Sequence, residues 1–183
     1  MAIAERLVLF SQRHVQLTLI VHWLVTKCSG QLNPDTLAGS EARVVSTLGS
    51  FRQPQPVDYQ GNRHVIDAME QTGLTRLLLV TSLGCGDSWQ YLPERARAAF
   101  GHEVRLKSLA ESWLQTSALD WTILRPADLQ DGEATGRAEL SQGKEVHGLV
   151  RRADVAAHGL RLLADEAALR QIYAIGDPDL HRA

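Results

Sequence analysis

The sequence has little of the residues that mark several specialised protein classes. Only two of its 183 residues are cysteines, Cys28 and Cys85, and two cysteines cannot build the disulfide framework of a small secreted domain. Nothing near them has the spacing of a zinc-ligand pair, so we expect no metal site and take a reducing cytoplasm as the compartment. The 19 Lys and Arg and the 21 Asp and Glu give a net charge of −2. This balance excludes an overall positive charge that would bind nucleic acid or an anionic membrane.

Long apolar runs are scarce as well. Residues 15–26 (VQLTLIVHWLVT) follow basic residues as the core of a signal peptide would, but they are too few to span a bilayer. His22 and Trp23 interrupt the run. Lys27 stands directly before Cys28, where a lipoprotein-type cleavage site needs a small residue. The segment therefore favours a buried strand or helix over an export signal.

Length and composition are those of an ordinary globular protein. Apolar residues make up 44% of the chain and charged residues 22%, which excludes disorder, collagen and coiled coil. A chain of this length can bury a sizeable core without disulfides or a structural metal. We therefore expect a single domain over residues 1–183.

From Arg43 onward the apolar pattern alternates between two periods. Continuous apolar runs are typical of buried strands, and apolar residues every three or four positions are typical of helices. Gly73 stands where a helix ends in the left-handed conformation, and Gly101 is positioned to kink a long helix. Residues 133–150 read as a glycine-rich loop that could hold a short hairpin. The predicted strands are 44–49, 76–82, 121–124 and 171–175, and the predicted helices are 57–72, 94–116 and 154–165.

Strands that alternate with helices predict an α/β fold, with a parallel sheet, helices on both faces and right-handed crossovers. We expect the first three predicted strands to be parallel neighbours. In such a sheet the ligand site lies beyond the carboxyl ends of the strands. Those ends, 46–49, 82–86 and 125–128, carry small or polar residues that let a ligand approach the backbone.

Five sequence blocks, in matching order and spacing, resemble the short-chain dehydrogenase/reductase superfamily, and more closely its atypical NmrA-like branch of NAD(P)-binding proteins. The resemblance implies a Rossmann-like fold. It also implies an oxidoreductase that uses NAD or NADP and acts on a small, undefined molecule. The blocks are VVSTLG at 44–49, VDYQGNRHVIDA at 57–68, RLLLVTSLG at 76–84, LKSLAESWLQTSALDWTILRPADL at 106–129 and RRADVAAHGLRLL at 151–163.

The same resemblance implies site residues. Ser82 would be the serine after the strand, and Lys107 would reach the nicotinamide ribose, so these two are the catalytic candidates. We expect Lys107 to point toward the carboxyl edge, near Ser82 and Arg125. A strand-end serine is also an ordinary turn residue and a helix lysine an ordinary solvated charge, so both alternatives stay open. The cofactor-binding candidates are Thr47, Leu48, Gly49, Ser82, Lys107, Arg125, Pro126 and Ala127.

One departure from the family's pattern concerns catalysis. Active members typically use a Tyr-x-x-x-Lys pair, in which the lysine lowers the phenol's pKa so that the tyrosine can pass a proton. Here Glu103 stands four residues before Lys107, and a carboxylate does not replace a phenol. Tyr91 lies too far upstream for the helical spacing. This departure keeps a second function open, that of a non-catalytic, dinucleotide-responsive regulatory or partner-binding module.

A second departure lies before residue 44, where the family's glycine-rich strand-turn-helix for the pyrophosphate is absent. Residues 6–13 would match the family's second strand, and residues 28–37 the exit of its third strand and the helix after it. We therefore expect residues 1–43 to be divergent or truncated, as in a truncated paralogue, and the chain to bind NAD(P)H weakly. The flank of residues 44–48 would then be covered by residues 15–26, by a second copy of the chain in a homo-oligomer, or not at all.

Asp154 lies near the start of the last predicted helix. A carboxylate there interacts with the helix dipole by about 0.3–1 kcal/mol. We therefore expect a structural residue whose replacement by Asn changes stability only slightly.

Overall fold

The computed structural model describes residues 7–11, 42–51 and 53–181. The predictions for residues 15–26 and 28–37 lie outside this part of the chain. Within the described residues, three α-helices and two 3₁₀ turns accompany the strands. The strands are β1 Leu7–Ser11, β2 Arg43–Thr47, β3 Arg76–Val80, β4 Asp120–Pro126, β5 Asp128–Gln130, β6 Glu139–Ser141, β7 Leu149–Arg151 and β8 Gln171–Gly176; the helices are α1 Gln60–Thr72, α2 Glu94–Gln115 and α3 Arg152–Ala164; the 3₁₀ turns are Gly86–Tyr91 and Glu166–Ala168.

A six-stranded sheet in the order β1-β2-β3-β4-β8-β6 organises the described residues. β1, β2, β3, β4 and β8 are parallel, and β6 runs antiparallel to β8. Val45 of β2 aligns with Leu78 of β3, which aligns with Thr122 of β4. The predicted parallel neighbours are thus confirmed, and the fold is Rossmann-like α/β.

Successive strand residues point to opposite faces of the sheet, and each face has its own core. On one face Leu77, Leu79 and Ile123 pack against α1 and α2. On the other face Leu78 and Leu124 pack against α3. All five strand side chains are almost fully buried. Strands buried on both faces explain the continuous apolar runs in the sequence.

The flank of β2 is covered differently from what we expected. β1 pairs with β2 along its whole length, from Leu7 opposite Arg43 to Ser11 opposite Thr47. In the described structure β1 therefore occupies this flank. Residues 15–26 lie outside the described residues, and a homo-oligomer stays a prediction. A parallel ladder from residues 7–11 satisfies backbone groups that an open edge would leave to other partners.

The region 133–150 also differs from the expected loop with a hairpin. It contains β6 and the start of β7, but these strands do not pair with each other. β6 joins the main sheet beside β8, and β7 pairs in parallel with β5. β6 and β7 thus pair with strands that are distant in the sequence, and local sequence patterns do not reveal such pairings.

Two glycine predictions are confirmed. Gly73 ends α1 with φ 73°, and its N–H donates to the Met69 carbonyl. In α2 the backbone leaves helical geometry at Phe100, beside Gly101. A Cβ on Gly101 would lie 3.2 Å from the Trp89 ring, so the kink lets the helix pass close to the preceding turn. Among the described helices, none has the length and apolar character needed to cross a membrane.

Candidate functional site

The end of β2, the start of α1 and the middle of α2 meet at the carboxyl edge of the sheet. Lys107 extends from α2 to this point, where its Nζ donates to the Leu48 carbonyl at 3.1 Å. The ammonium also lies 3.0 Å from Asp58 Oδ1. A Cβ on Gly49 would come within 2.5 Å of Lys107 Nζ, so a glycine is what lets the ammonium lie over this backbone. We call Leu48, Gly49, Asp58 and Lys107 the Lys107 cluster.

Asp58 is fully buried and is held from two sides. Its Oδ2 accepts hydrogen bonds from the backbone N–H and the hydroxyl of Ser50. Its Oδ1 faces the Lys107 ammonium but has no aligned hydrogen bond. At 3.0 Å the charges still attract strongly, because both groups are largely shielded from water. Asp58 therefore holds the ammonium in place by charge, and this contact engages one side of the ammonium.

Asn62 supports the same strand end from α1. Its amide donates to the Asp58 carbonyl at 2.8 Å and to the Leu48 carbonyl at 3.3 Å. Its Oδ1 accepts from the Ser46 hydroxyl at 2.6 Å. Sequence reasoning quoted Asp58 and Asn62 within a family block but gave neither a role. The available signal was their i, i+4 spacing, which places two polar side chains on one face of the chain entering α1.

The other candidates lie along the same edge with different contacts. Ser82 is half-buried, and its hydroxyl donates to the Leu83 carbonyl at 2.9 Å, which is turn geometry. Pro126 and Ala127 are buried at the end of β4, where the Pro126 carbonyl accepts from the Leu83 N–H at 3.0 Å. Lys107 points to the expected edge, but its bonds go to the Lys107 cluster rather than to Ser82 or Arg125. The catalytic and cofactor-binding roles remain predictions.

Arg125 forms a second group at this edge with Thr81, Glu111 and Asp87, which we call the Arg125 cluster. Arg125 Nε and Nη2 donate to the two Glu111 oxygens at 3.1 and 2.7 Å, and Nη1 donates to Asp87 at 2.6 Å. The Thr81 hydroxyl donates to Glu111 at 2.6 Å. These contacts give Arg125 a structural role, while its predicted place beside a cofactor stays a prediction. Sequence reasoning did not single out Glu111.

Charge and burial set the protonation of this region. Burial would lower the pKa of Arg125, but hydrogen bonds and charge from Glu111 and Asp87 outweigh it and raise that pKa. The hydrogen bond from Arg125 holds the pKa of Asp87 below its usual value. Burial, helped by the Glu111 charge, raises the pKa of Cys85 to about 12. The Cys85 thiol therefore stays protonated and is no nucleophile.

The position of the family's tyrosine holds Glu103, half-buried on α2 one turn before Lys107. Tyr91 ends the 3₁₀ turn, outside that helix. The phenol that normally passes a proton is therefore not present at the expected spacing.

An open cavity of about 600 Å³ lies beside the ends of β4 and β8. Its wall is tied to the end of β4, because the Asp128 N–H donates to the Gly148 carbonyl at 3.1 Å. The residues that line it are Pro93, His147, Gly148, Leu149, Leu180 and His181. A small molecule at the carboxyl edge would find room here.

Asp154 does more than we expected from its position. It is 2% exposed and accepts hydrogen bonds from the N–H groups of Thr135 and Gly136, both at 2.9 Å. Burial would raise the pKa of Asp154, but these hydrogen bonds outweigh it and lower the pKa. Asp154 is structural, but the estimate from the helix dipole alone is wrong because it omits the loop that the carboxylate holds.

Within the described ranges, no group of His, Cys, Asp and Glu could hold a metal ion.

Comparison with protein families identifies the cofactor. A family model described as NAD(P)H-binding matches residues 32–166. The chain belongs to this NAD(P)H-binding family. Its cofactor is therefore NAD or NADP. An ammonium has three N–H donors, and in the described structure Lys107 directs its ammonium to Leu48 and Asp58.

Solved structures and curated proteins add detail to this family assignment. A structure described as ChuY, an anaerobillin reductase from Escherichia coli O157:H7, is 43% identical and has a TM-score of 0.77, covering 98% of this chain and 87% of that chain. A structure of chuY from E. coli CFT073 is 48% identical with a TM-score of 0.73, covering 88% of this chain and 80% of that one.

Sanguinarine reductase of Eschscholzia californica is 30% identical over 129 residues, which are 67% of this chain and 46% of that protein. The chain spans about half the length of the curated relatives it matches.

Proposed function

We propose that the protein is an NAD(P)H-dependent reductase of a small organic molecule. The observation that carries the proposal is the Lys107 ammonium, held over Gly49 at the carboxyl edge of a sheet in a member of the NAD(P)H-binding family. Gly49 lets a ligand approach the backbone, and Asp58 keeps the ammonium in place. The cavity beside β4 gives the second reactant room at the same edge.

The similar proteins support reduction as the reaction. The 43% identical structure is described as an anaerobillin reductase, and the curated relative is a sanguinarine reductase. Anaerobillin and sanguinarine are therefore the first substrates to test. When bound, the reduced cofactor supplies a hydride. Lys107 would hold the cofactor's ribose, while the apolar side chains Leu149 and Leu180 would border the substrate.

Turnover of purified protein tests the proposal. NADPH or NADH is mixed with anaerobillin or sanguinarine, and the loss of cofactor absorbance is followed. We expect turnover with one of them, and a large loss of activity in Lys107→Met. Lys144→Met, which removes an exposed lysine from the loop after β6, is the matched control and should leave the rate unchanged. Equal activity in Lys107→Met and the wild type would contradict the role given to Lys107.

A second function, a dinucleotide-binding module without chemistry, is favoured by Glu103 in place of the tyrosine. Calorimetry separates the two. Cofactor binding without turnover of any candidate substrate would favour the module, and binding with turnover the reductase.

We also propose that cofactor binding is weak in this chain, because no glycine-rich turn precedes residue 44. Loss of a helix N-terminus and of a charge-assisted backbone hydrogen bond costs about 3–5 kcal/mol, which turns a micromolar dissociation constant into a millimolar one. Titration with NADPH checks this. A dissociation constant in the low micromolar range would show that another segment holds the pyrophosphate.

Two finer assignments belong with this proposal. The blocks at 44–49 and 106–129 support placement in the NmrA-like branch. The two-cysteine composition supports a cytoplasmic location, since reducing compartments keep such thiols free. Fractionation of the native host with an antibody against the protein would check the compartment.

A further inference from the structure

The Arg125 cluster joins three parts of the fold at the carboxyl edge. Thr81 follows β3, Glu111 lies on α2 and Arg125 ends β4, and all three are buried. The fourth member, Asp87, lies in the 3₁₀ turn and its side chain is 77% exposed. The cluster thus runs from the core to the segment 83–93, which connects β3 to α2.

A contribution to the stability of the core does not by itself explain why Arg125 is paired with Glu111 and Asp87. A buried ion pair gains little over well-packed apolar side chains of similar volume. An ion pair with an exposed partner adds little as well, because water screens it. What Asp87 does provide is a fixed attachment point for the turn. The location of the pair therefore points to positioning of segment 83–93.

The backbone of the segment packs directly on Arg125. Gly86 has φ 54°, and a Cβ there would lie 2.7 Å from Arg125 Nη2. Its N–H donates to the Ser108 hydroxyl at 3.0 Å. The backbone of the turn thus lies directly against the Arg125 guanidinium and against α2. A shift of Arg125 would move the turn with it.

The far end of the segment forms part of the cavity beside β4. Pro93 lines that cavity opposite residues of the 147–149 and 180–181 segments. Between Gly86 and Pro93 the chain is short and partly 3₁₀, and backbone hydrogen bonds from Ser88 to Cys85 and from Leu92 to Trp89 connect its two ends. The width of the cavity depends on where the segment is held.

We propose that Glu111 and Asp87, acting through Arg125, are positioning residues that hold segment 83–93 as one wall of the substrate cavity. The substrate part of this inference rests on the proposed reductase function. Glu111 and Asp87 act on substrate binding through the position of Pro93.

The experiment compares wild type, Asp87→Ala and Asp87→Asn, the last of which keeps an oxygen that can accept from Arg125. Asp67→Ala is the matched control. It removes a carboxylate that pairs with Arg63 and accepts from the Trp113 indole N–H on α2, in the second half of α1 and away from the residues that line the cavity. Amide hydrogen exchange is measured over segment 83–93 and α1. The KM and kcat for the substrate, and the dissociation constant for NADPH, are measured in parallel.

In Asp87→Ala we expect exchange in segment 83–93 to rise about two- to fivefold, the range of an exposed ion pair. The KM should rise with it, while kcat and the NADPH dissociation constant change little. Asp87→Asn should recover part of both effects, and Asp67→Ala should show neither. Unchanged exchange in the segment, or faster exchange with an unchanged KM, would overturn the proposal.

A failure of the proposed function has a different signature. If the wild type turns over no substrate while exchange in Asp87→Ala still rises, the cluster holds the segment but the substrate role is overturned together with the reductase function. Turnover by the wild type with no effect of Asp87→Ala on exchange or KM would overturn this inference alone.

Discussion

Two ion pairs lie at the carboxyl edge of the same sheet and use their cations differently. Arg125 donates three hydrogen bonds to two carboxylates, and its side chain is 6% exposed. Lys107 donates one aligned bond to a carbonyl, faces Asp58 by charge, and is 15% exposed. The guanidinium is a planar fork suited to a fixed pair, whereas the ammonium is a compact charge with rotatable donors. The comparison separates a cation fixed between two carboxylates from a more exposed cation with one carbonyl and one carboxylate partner.

The largest expected effect tests this difference directly. Glu111→Ala leaves the buried Arg125 guanidinium without its main partner and should cost about 3–5 kcal/mol of the free energy of unfolding. Lys107→Met leaves Asp58 with its two Ser50 hydrogen bonds and should cost about 1–3 kcal/mol. Urea denaturation of both variants measures this. Equal costs would break the comparison.

Asp154 sharpens the comparison, because it is a buried carboxylate held by backbone N–H groups. Asp154→Asn should cost about 2–3 kcal/mol, since an amide cannot accept both hydrogen bonds as a carboxylate does. The folded pKa of Asp154 lies below its unfolded value, so the stabilisation is complete above about pH 4 and lost as pH falls through the folded pKa.

Chemical denaturation of wild type and Asp154→Asn at neutral pH and at about pH 3 checks both statements. The difference in the free energy of unfolding should shrink at the lower pH. A difference that stays constant with pH would contradict the assigned cause.

The smallest effect concerns Gly49. In Gly49→Ala the new methyl meets the end of a flexible side chain, Lys107 Nζ, so the cost in stability should be about 1 kcal/mol. NADPH should bind more weakly, because the ammonium is displaced. In a Lys107→Met background the same alanine should have no such effect on NADPH binding. An equal loss in both backgrounds would show that Gly49 acts independently of Lys107.

Parts of the fold with local signals were predictable. Continuous apolar runs identified β3 and β4, and the positions of Gly73 and Gly101 identified a helix end and a kink. The pairing of β1 with β2, and of β6 and β7 with distant strands, was not predictable. A short strand contains too few residues for its pattern of apolar positions to show which strand it pairs with.

The candidate site divides in the same way. The residue types at the strand ends and the resemblance pointed to Lys107 and Gly49 before any geometry was known. Glu111 was hidden because a glutamate on a helix is usually a solvated residue, and its burial against Arg125 depends on how α2 crosses β4. Asp154 was underestimated because the loop that it holds is distant in sequence.

The sequence by itself determined the α/β alternation and the parallel sheet and pointed to the carboxyl edge as the candidate site, because apolar period and strand-end composition are local properties of the chain. The tertiary structure alone decided which charges are paired, which cation is the more exposed and which strand covers the flank of β2. Those outcomes depend on distances between segments far apart in the chain, since pairing and burial are set by the packing of elements against one another.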